Sequence, residues 1–507
     1  MVTQYHEHTG DLATEADVVV VGSGAGGACI ASELAEGGLS VVMVEEGGYH
    51  GTDEFNADAG AMIRMLYRDC GATFMLGKPG IPYVEGCCVG GGTVINGGMC
   101  WRTPERFLQR WAWEAGVKDV DPRRLEPFFE KVEERVHIAP QDPGTTGRDD
   151  ALFVKGSRAL GHEPTPNRRN QFHCMGSNNC ALGCPTGGKQ STLVSYVPRA
   201  ERAGARVFSD LKVDRILVEN GRAIGVEGEV RDRGTKRRMY TARIRAKLVV
   251  IACGAVQTPA LLLRNRLANS SGQVGRNLMV HPNAKLLGIF DEEVRPWEGV
   301  HQAHQLHAYL DEGLNFAIAY VPPSIIALGS RVIGEDSLAL MENFSRIVIS
   351  GVLVEDTTRG RVRAGPGGVP IVTYFMNRQD ARQTVRGTAI LADLLFAAGA
   401  KRIVMPYHCL PELRGPDEIP RLWDREIPAS EMEILTVHLM GTCMMGSDPR
   451  RSVVDSWGES HDVKGLFIAD GSLFPTPIGV NPMETIMMLA TREADWILNH
   501  RAEYLGR

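Results

Sequence analysis

The stretch "ADVVVVGSGAGGACIASELAEGGLSVVMVEEGG" constrains what this chain can fold into more than any other segment. Asp17 to Val21 is a β-branched run, as expected of a strand buried on both faces. It enters Gly22-Ser23-Gly24-Ala25-Gly26-Gly27 and then a helix-like pattern. A second β-branched run, Val41 to Val44, ends in Glu45, 23 positions after the first glycine. Strand, GxGxxG turn, helix, strand and acid in this order make a dinucleotide-binding unit. Gly22 permits the tight turn, Gly24 lets the backbone approach a pyrophosphate, and Gly27 lets the helix pack on the strand. The helix opening at Ala25 offers N–H groups and a partial positive charge to the phosphates. Glu45 can accept hydrogen bonds from ribose hydroxyls. NAD and FAD both use this turn, so it leaves the dinucleotide open.

The chain has 507 residues, enough for two domains or one large elaborated one. A net charge of −6 over that length argues for neither nucleic-acid nor membrane-surface binding. No apolar run approaches the ~18 residues of a membrane helix. "MVTQYHEHTGDLATEAD" has neither the basic start nor the apolar core of a signal peptide, so a cytoplasmic protein with mostly reduced thiols is expected.

Further blocks narrow the choice. "EGCCVGGGTVINGGMCWRTP" (85–104) is a second glycine cluster, and "IACGAVQTPALLLRN" (251–265) reads as buried strand, turn and helix start. "TVHLMGTCMMG" (436–446) follows much later. In "GLFIADGSLFPTPIGVNPMETIMMLATREADWIL" (465–498) a strand runs into Asp470 and a helix follows Pro482. In this order the blocks resemble the glucose–methanol–choline (GMC) superfamily of FAD-dependent oxidoreductases, most closely its long-chain alcohol oxidase and cholesterol oxidase-like branches. The resemblance implies an α/β fold. A discontinuous Rossmann-like FAD-binding domain (10–60, 85–105, 195–285 and 430–507) would carry a substrate domain of antiparallel sheet and helices (61–84, 106–194 and 286–429). It implies that Gly22, Gly24, Ala25, Gly27 and Glu45 hold the ADP half of FAD. Gly90, Gly91, Thr93, Asn96 and Gly97 would line the pyrophosphate and the isoalloxazine edge. Val213 would lie beside the adenine, and Asp470, Gly471, Asn481 and Pro482 along the remaining flavin half. Relatives that bind FAD covalently can use a histidine just before the position of Asn96. Ile95 stands there, so non-covalent FAD is expected.

Alcohol oxidation removes a hydroxyl proton as hydride leaves carbon. A histidine suits the first task, and a second donor should hold the oxygen. By resemblance His438 is the base and Asn481 its hydrogen-bonding partner, although Asn before Pro also suits a helix start. The expected substrate is a small-molecule primary or secondary alcohol. Oxygen, a quinone or a protein could accept the electrons.

"HCMGSNNCALGCPTGGKQST" (173–192) places Cys174, Cys180 and Cys184 at C-x5-C-x3-C spacing. Three thiolates would suffice for a three-iron cluster but fall short of a four-cysteine site unless His173 or another residue joins. A reduced, glycine-rich structural loop is the favoured expectation, with no metal bound. The alternatives are thus an electron-transfer dehydrogenase subunit that uses a cluster, and a non-redox lyase that keeps FAD as scaffold. An intact His438–Asn481 pair argues against the lyase.

Overall fold

The computed structural model describes residues 2–329, 334–424 and 426–506. The dinucleotide unit forms as read: β1 (Leu12–Val21), α1 (Ala25–Glu36) and β2 (Val41–Val44). β1 starts earlier than its apolar run because residues 12–16 pair in register with 242–246 while staying half in water. Val18 and Val20 pack into one core and Val19 and Val21 into another, so a continuous β-branched run is needed to fill both faces.

The sheet around this unit runs Arg206–Phe208, β2, β1, Arg238–Ile251, Arg222–Arg231, Leu211–Glu219, with Leu466–Ile468 also paired to the end of Arg238–Ile251. The strands flanking β1 and β2 are parallel, whereas Leu211–Ile251 is an antiparallel meander. All parallel strands therefore end together, next to α1's N-terminus, where an open α/β sheet places its ligand.

A second sheet is antiparallel throughout, in the order Glu412–Leu413, Arg402–Val404, Asn283–Ile289, Ile347–Val354, Leu314–Ile318, His304–Leu306, Thr165–Pro166. Its inner face carries Ala284, Leu286, Phe316 and Val352 into a core shared with Leu391, Leu394 and Leu395 of the helix Arg378–Ala398. Asn377 caps that helix by accepting from the Asp380 N–H, and Gly399 ends it at φ +114°, a left-handed conformation that glycine adopts without strain. A hairpin forms between Arg361–Ala364 and Pro370–Phe375 and joins Thr73–Lys78 and Ile81–Tyr83 in a four-stranded sheet. The methionines of the two C-terminal blocks fill core, with Met440, Met487 and Met488 fully buried. Among the described residues no helix is long and apolar enough to cross a membrane.

Candidate active site

Three chain segments meet at the first turn. An added Cβ on Gly22 (φ +102°) would lie 2.3 Å from Ala252 O, and one on Gly27 would lie 2.0 Å from Gly22 O. Gly24, by contrast, has nothing within 4 Å of that position. Its backbone faces open space, with the unpaired N–H groups of the first turn of α1 beside it. Gly26, given no task in the sequence reading, is packed hardest: its Cβ would lie 1.7 Å from Ala469 O. That contact seats α1 against the strand end leading to Asp470. The residues present thus leave an anion-sized opening at a helix N-terminus, which fits the pyrophosphate of a dinucleotide.

Glu45 is already bonded from within. Its Oε2 accepts from the Ser23 N–H (3.0 Å) and hydroxyl (2.7 Å), and its Oε1 accepts from Gly47 N–H (2.9 Å). Burial raises its pKa, partly offset by these bonds. Leu211 N–H donates to the Glu45 carbonyl at 2.8 Å, so Val213 follows directly along a strand beside this corner. Gly90 N–H donates to Ser23 Oγ (3.0 Å), and an added Gly91 Cβ would lie 3.0 Å from Gly24 Cα. Thr93 accepts at Oγ1 from Thr192 N–H (2.9 Å), and Thr192 Oγ1 donates to Ser23 O (3.0 Å). Thr192 was missed by the sequence reading, although "KQST" was in view.

On the far side, Asp470 accepts at Oδ2 from Gly254 N–H (2.9 Å) and Thr258 Oγ1, and at Oδ1 from Ser472 N–H (2.8 Å). Gly471 O accepts from Gly441 N–H, tying this turn to the His438 segment. Asn96 holds its own turn by accepting from Gly98 N–H (3.1 Å), and an added Gly97 Cβ would lie 2.9 Å from His301 Cδ2. Ile95 is buried, 8 % exposed.

His438 and Asn481 do meet: Asn481 Nδ2 lies 3.3 Å from His438 Nε2, and Asn481 Oδ1 accepts from Gln305 Nε2 at 3.1 Å. Pro482 is the residue before helix Met483–Asn499, and no side chain caps that helix. The helix-start reading of Asn481 therefore does not hold for its side chain, which is turned to His438 and Gln305 instead. Burial and the nearby charge of Lys285 lower the His438 pKa to about 4.

Two partners of this pair went unread. Gln305 lies in "HQLHAYL", whose alternating apolar residues carry no site signal. His281 lay in "MVHPNA", with only its position before proline as a signal. His281 Nδ1 faces His438 Nδ1 at 3.4 Å, and its Nε2 accepts from the Ile478 and Gly479 N–H groups at 3.3 and 3.2 Å. One proton fits between the facing nitrogens. For His438 to take up another at Nε2, that proton must sit on His438. The bonds to His281 Nε2 favour its staying on His281, so the tautomer of His438 is coupled to that of His281.

The three cysteines form no metal-holding group: among the described residues no set of three or more His, Cys, Asp or Glu side chains could hold a metal ion, and no cysteine is in a disulfide. The scattered cysteines Cys29, Cys88, Cys100 and Cys443 are buried as small apolar groups, while Cys70 is exposed. Cys180 Sγ accepts from buried Arg169 at 3.3 Å, and Cys184 Sγ accepts from Lys189 N–H at 3.4 Å. Lys189 Nζ donates to the carbonyls of Val94 (2.7 Å) and Asn96 (2.8 Å). The loop thus seats a buried lysine beneath the Asn96 turn. Cys180→Ser keeps an acceptor for Arg169, so it should cost only around 1 kcal/mol of stability, with flavin content and iron analysis unchanged. Stoichiometric iron in anaerobically purified protein, lost in this variant, would refute the structural role.

Known proteins resemble this chain in sequence and in fold. Residues 41–283 and 356–490 match the two parts of the GMC oxidoreductase family. A GMC-type oxidoreductase of Sinorhizobium fredii is 32% identical over 497 residues, covering 97% of this chain and 96% of its own. Paromamine 6'-oxidase of Streptomyces fradiae is 28% identical, with 94% of this chain and 90% of its own covered. Long-chain-alcohol oxidase FAO1 of Arabidopsis thaliana is also 28% identical over 94% of this chain but 66% of its own. The crystal structure of pyridoxine 4-oxidase from Mesorbium loti superposes with a TM-score of 0.74 at 18% identity, over 96% of this chain and 99% of that one, which concerns the fold alone. With both family segments matched across most of its length, the chain belongs to the GMC oxidoreductase family.

Proposed function

We propose that this protein binds FAD non-covalently and oxidises a primary or secondary alcohol to a carbonyl compound. The observation that carries the reading is the meeting of His438 and Asn481, 43 residues apart in sequence, within 3.3 Å. Bound FAD would supply the hydride acceptor at N5. The chain's own part is positional. Asn481, oriented by Gln305, donates to the substrate oxygen, where charge develops. His438 Nε2 takes the hydroxyl proton, with the ring held from behind by His281. Gly24, Gly91 and the first turn of α1 receive the pyrophosphate, and Glu45 the ribose. The relatives named as alcohol and paromamine oxidases support a hydroxyl as the reacting group. Anaerobic addition of an alcohol panel should bleach the flavin absorption; no bleaching by any hydroxyl compound would reject the reading.

Two further results are expected. Acid precipitation should release all yellow colour into the supernatant, because Ile95 offers no nitrogen for a covalent link. Colour retained in the pellet would overturn this. The pH profile follows from the depressed pKa of His438. A group with a pKa of about 4 is uncharged at every pH above that value, so pH does not take it out of the base role there. Flavin reduction measured by pH-jump stopped flow should therefore be flat around neutrality and fall only as pH drops through about 4. A fall centred at the ordinary histidine value of ~6.5 would contradict the assignment.

A further inference from the structure

The antiparallel sheet turns one row of residues toward the catalytic pair. Lys285 stands opposite Gly351, Gly351 opposite Ala317, and Ala317 opposite Gln305, whose amide orients Asn481. Residues directly opposed in antiparallel strands share a face, so Lys285 and Gln305 point to the same side. The strand carrying Lys285 begins against the His438 segment, where Asn283 and Leu435 exchange backbone hydrogen bonds. Lys285 folds over the glycine: a Cβ on Gly351 would lie 2.6 Å from its Nζ and 3.0 Å from its Cδ. Any larger residue at 351 would push the ammonium out of this place.

Lys285 is half-buried, and among the described residues neither a hydrogen bond nor a carboxylate satisfies its ammonium. Removing a cation from water without a partner is costly. The other charges acting on the site's histidines are also positive: Lys285 on His438, and Arg169, Lys285 and Lys189 on His301. Both Arg169 and Lys189 are buried, and the bonds they make go to carbonyl oxygens and to the Cys180 sulfur. Lys285 is thus the cation that acts on His438, with Arg169 and Lys189 grouped around His301, and among the described residues no carboxylate pairs with Lys285.

We infer that the alcohol oxidised here carries a carboxylate, which pairs with Lys285 while its hydroxyl lies between His438 and Asn481. This rests on the alcohol-oxidising reading above and names its substrate class. The ammonium lies over the strand two places from the one carrying Gln305, and neighbouring strands are ~4.8 Å apart, which puts ~10 Å between those two strands. A hydroxycarboxylate of several bonds therefore fits better than a short α-hydroxy acid.

The test pairs charged with neutral substrates. A series of ω-hydroxycarboxylates of increasing chain length is compared with the corresponding methyl esters, in wild type, Lys285→Met and Lys285→Arg. In wild type the best acid should exceed its ester in kcat/KM by roughly 10–100-fold, the worth of a hydrogen bond to a charged group. Lys285→Met should bring the acid-to-ester ratio of kcat/KM to about one, whatever its effect on the ester itself, and Lys285→Arg should restore part of the preference. The unhydroxylated carboxylate of matching length, titrated by protein fluorescence, should bind Lys285→Met weaker by the same factor. Absence of acid preference in wild type, or an equal loss for acid and ester in Lys285→Met, would overturn the inference; the second result would assign Lys285 to the cofactor or the fold. If the plain carboxylate binds in a Lys285-dependent way but no hydroxyl compound reduces the flavin, the alcohol reading fails while the anion site stands.

Discussion

His438→Ala should slow flavin reduction by alcohol by roughly 10²–10⁴-fold, the usual worth of a positioned acid–base group. The flavin spectrum should stay nearly intact, because none of the contacts that hold His438 involves the dinucleotide turn. Its ring touches Asn481 and His281, and its N–H donates to Thr436 Oγ1 at 3.2 Å. Truncation leaves Gln305 to hold Asn481 and the Ile478 and Gly479 N–H groups to hold His281, so the two neighbours keep their places. The loss should appear in the rate constant at saturating alcohol, since the imidazole's contribution grows as the proton moves. Wild-type reduction in single-turnover stopped flow would remove His438 from the mechanism. Loss of the cofactor would mark it as structural.

Gly26→Ala should yield a protein depleted of flavin and destabilised by about 3 kcal/mol or more, at the upper end for overpacking one methyl group. The methyl would sit 1.7 Å from Ala469 O and 2.7 Å from Ala469 C, both backbone atoms. Ala469 cannot retreat cheaply, because its N–H donates to Ile251 O at 2.9 Å and the strand before it is paired with 249–251. α1 would have to swing away, carrying with it the N–H groups proposed to receive the pyrophosphate. Gly24→Ala makes the contrasting case: its methyl enters open space on the protein side and meets only the ligand, so the apo fold should hold while flavin affinity falls. Flavin-to-protein ratio and urea midpoint measure both. A Gly26→Ala protein with full flavin and an unchanged midpoint would refute this account of the contact.

The contrast between these glycines shows what kind of information a sequence carries. The positive φ of Gly22 and the packing of Gly27 on Gly22 O were legible because both arise within one strand–turn–helix unit. Gly26 was not legible, because its neighbour is Ala469, and only the closing of the sheet by Leu466–Ile468 brings that carbonyl to α1. The cysteine loop divides in the same way. Its spacing alone allowed a cluster, and the side-chain directions that instead give Cys180 to Arg169 and Cys184 to Lys189 depend on packing against residues outside the loop.

By itself the sequence determined the parts whose physics is local. A β-branched run fills both faces of a parallel sheet, a glycine turn opens a helix N-terminus, Gly399 stops the helix Arg378–Ala398 by turning left-handed, and the hairpin 361–375 closes on its own glycine-rich turn. It also carried His438 and Asn481 through motif resemblance. Only the tertiary structure decided what surrounds them. His281 faces His438 across 157 residues of chain, and Gln305 reaches Asn481 across 176. Lys285 shares a row with Gln305 because three strand registers fall in step. A one-residue slip in any of them would turn Lys285 or Gln305 to the opposite face of the sheet, and register between distant strands is set by how the core packs, which no short stretch of sequence spells out.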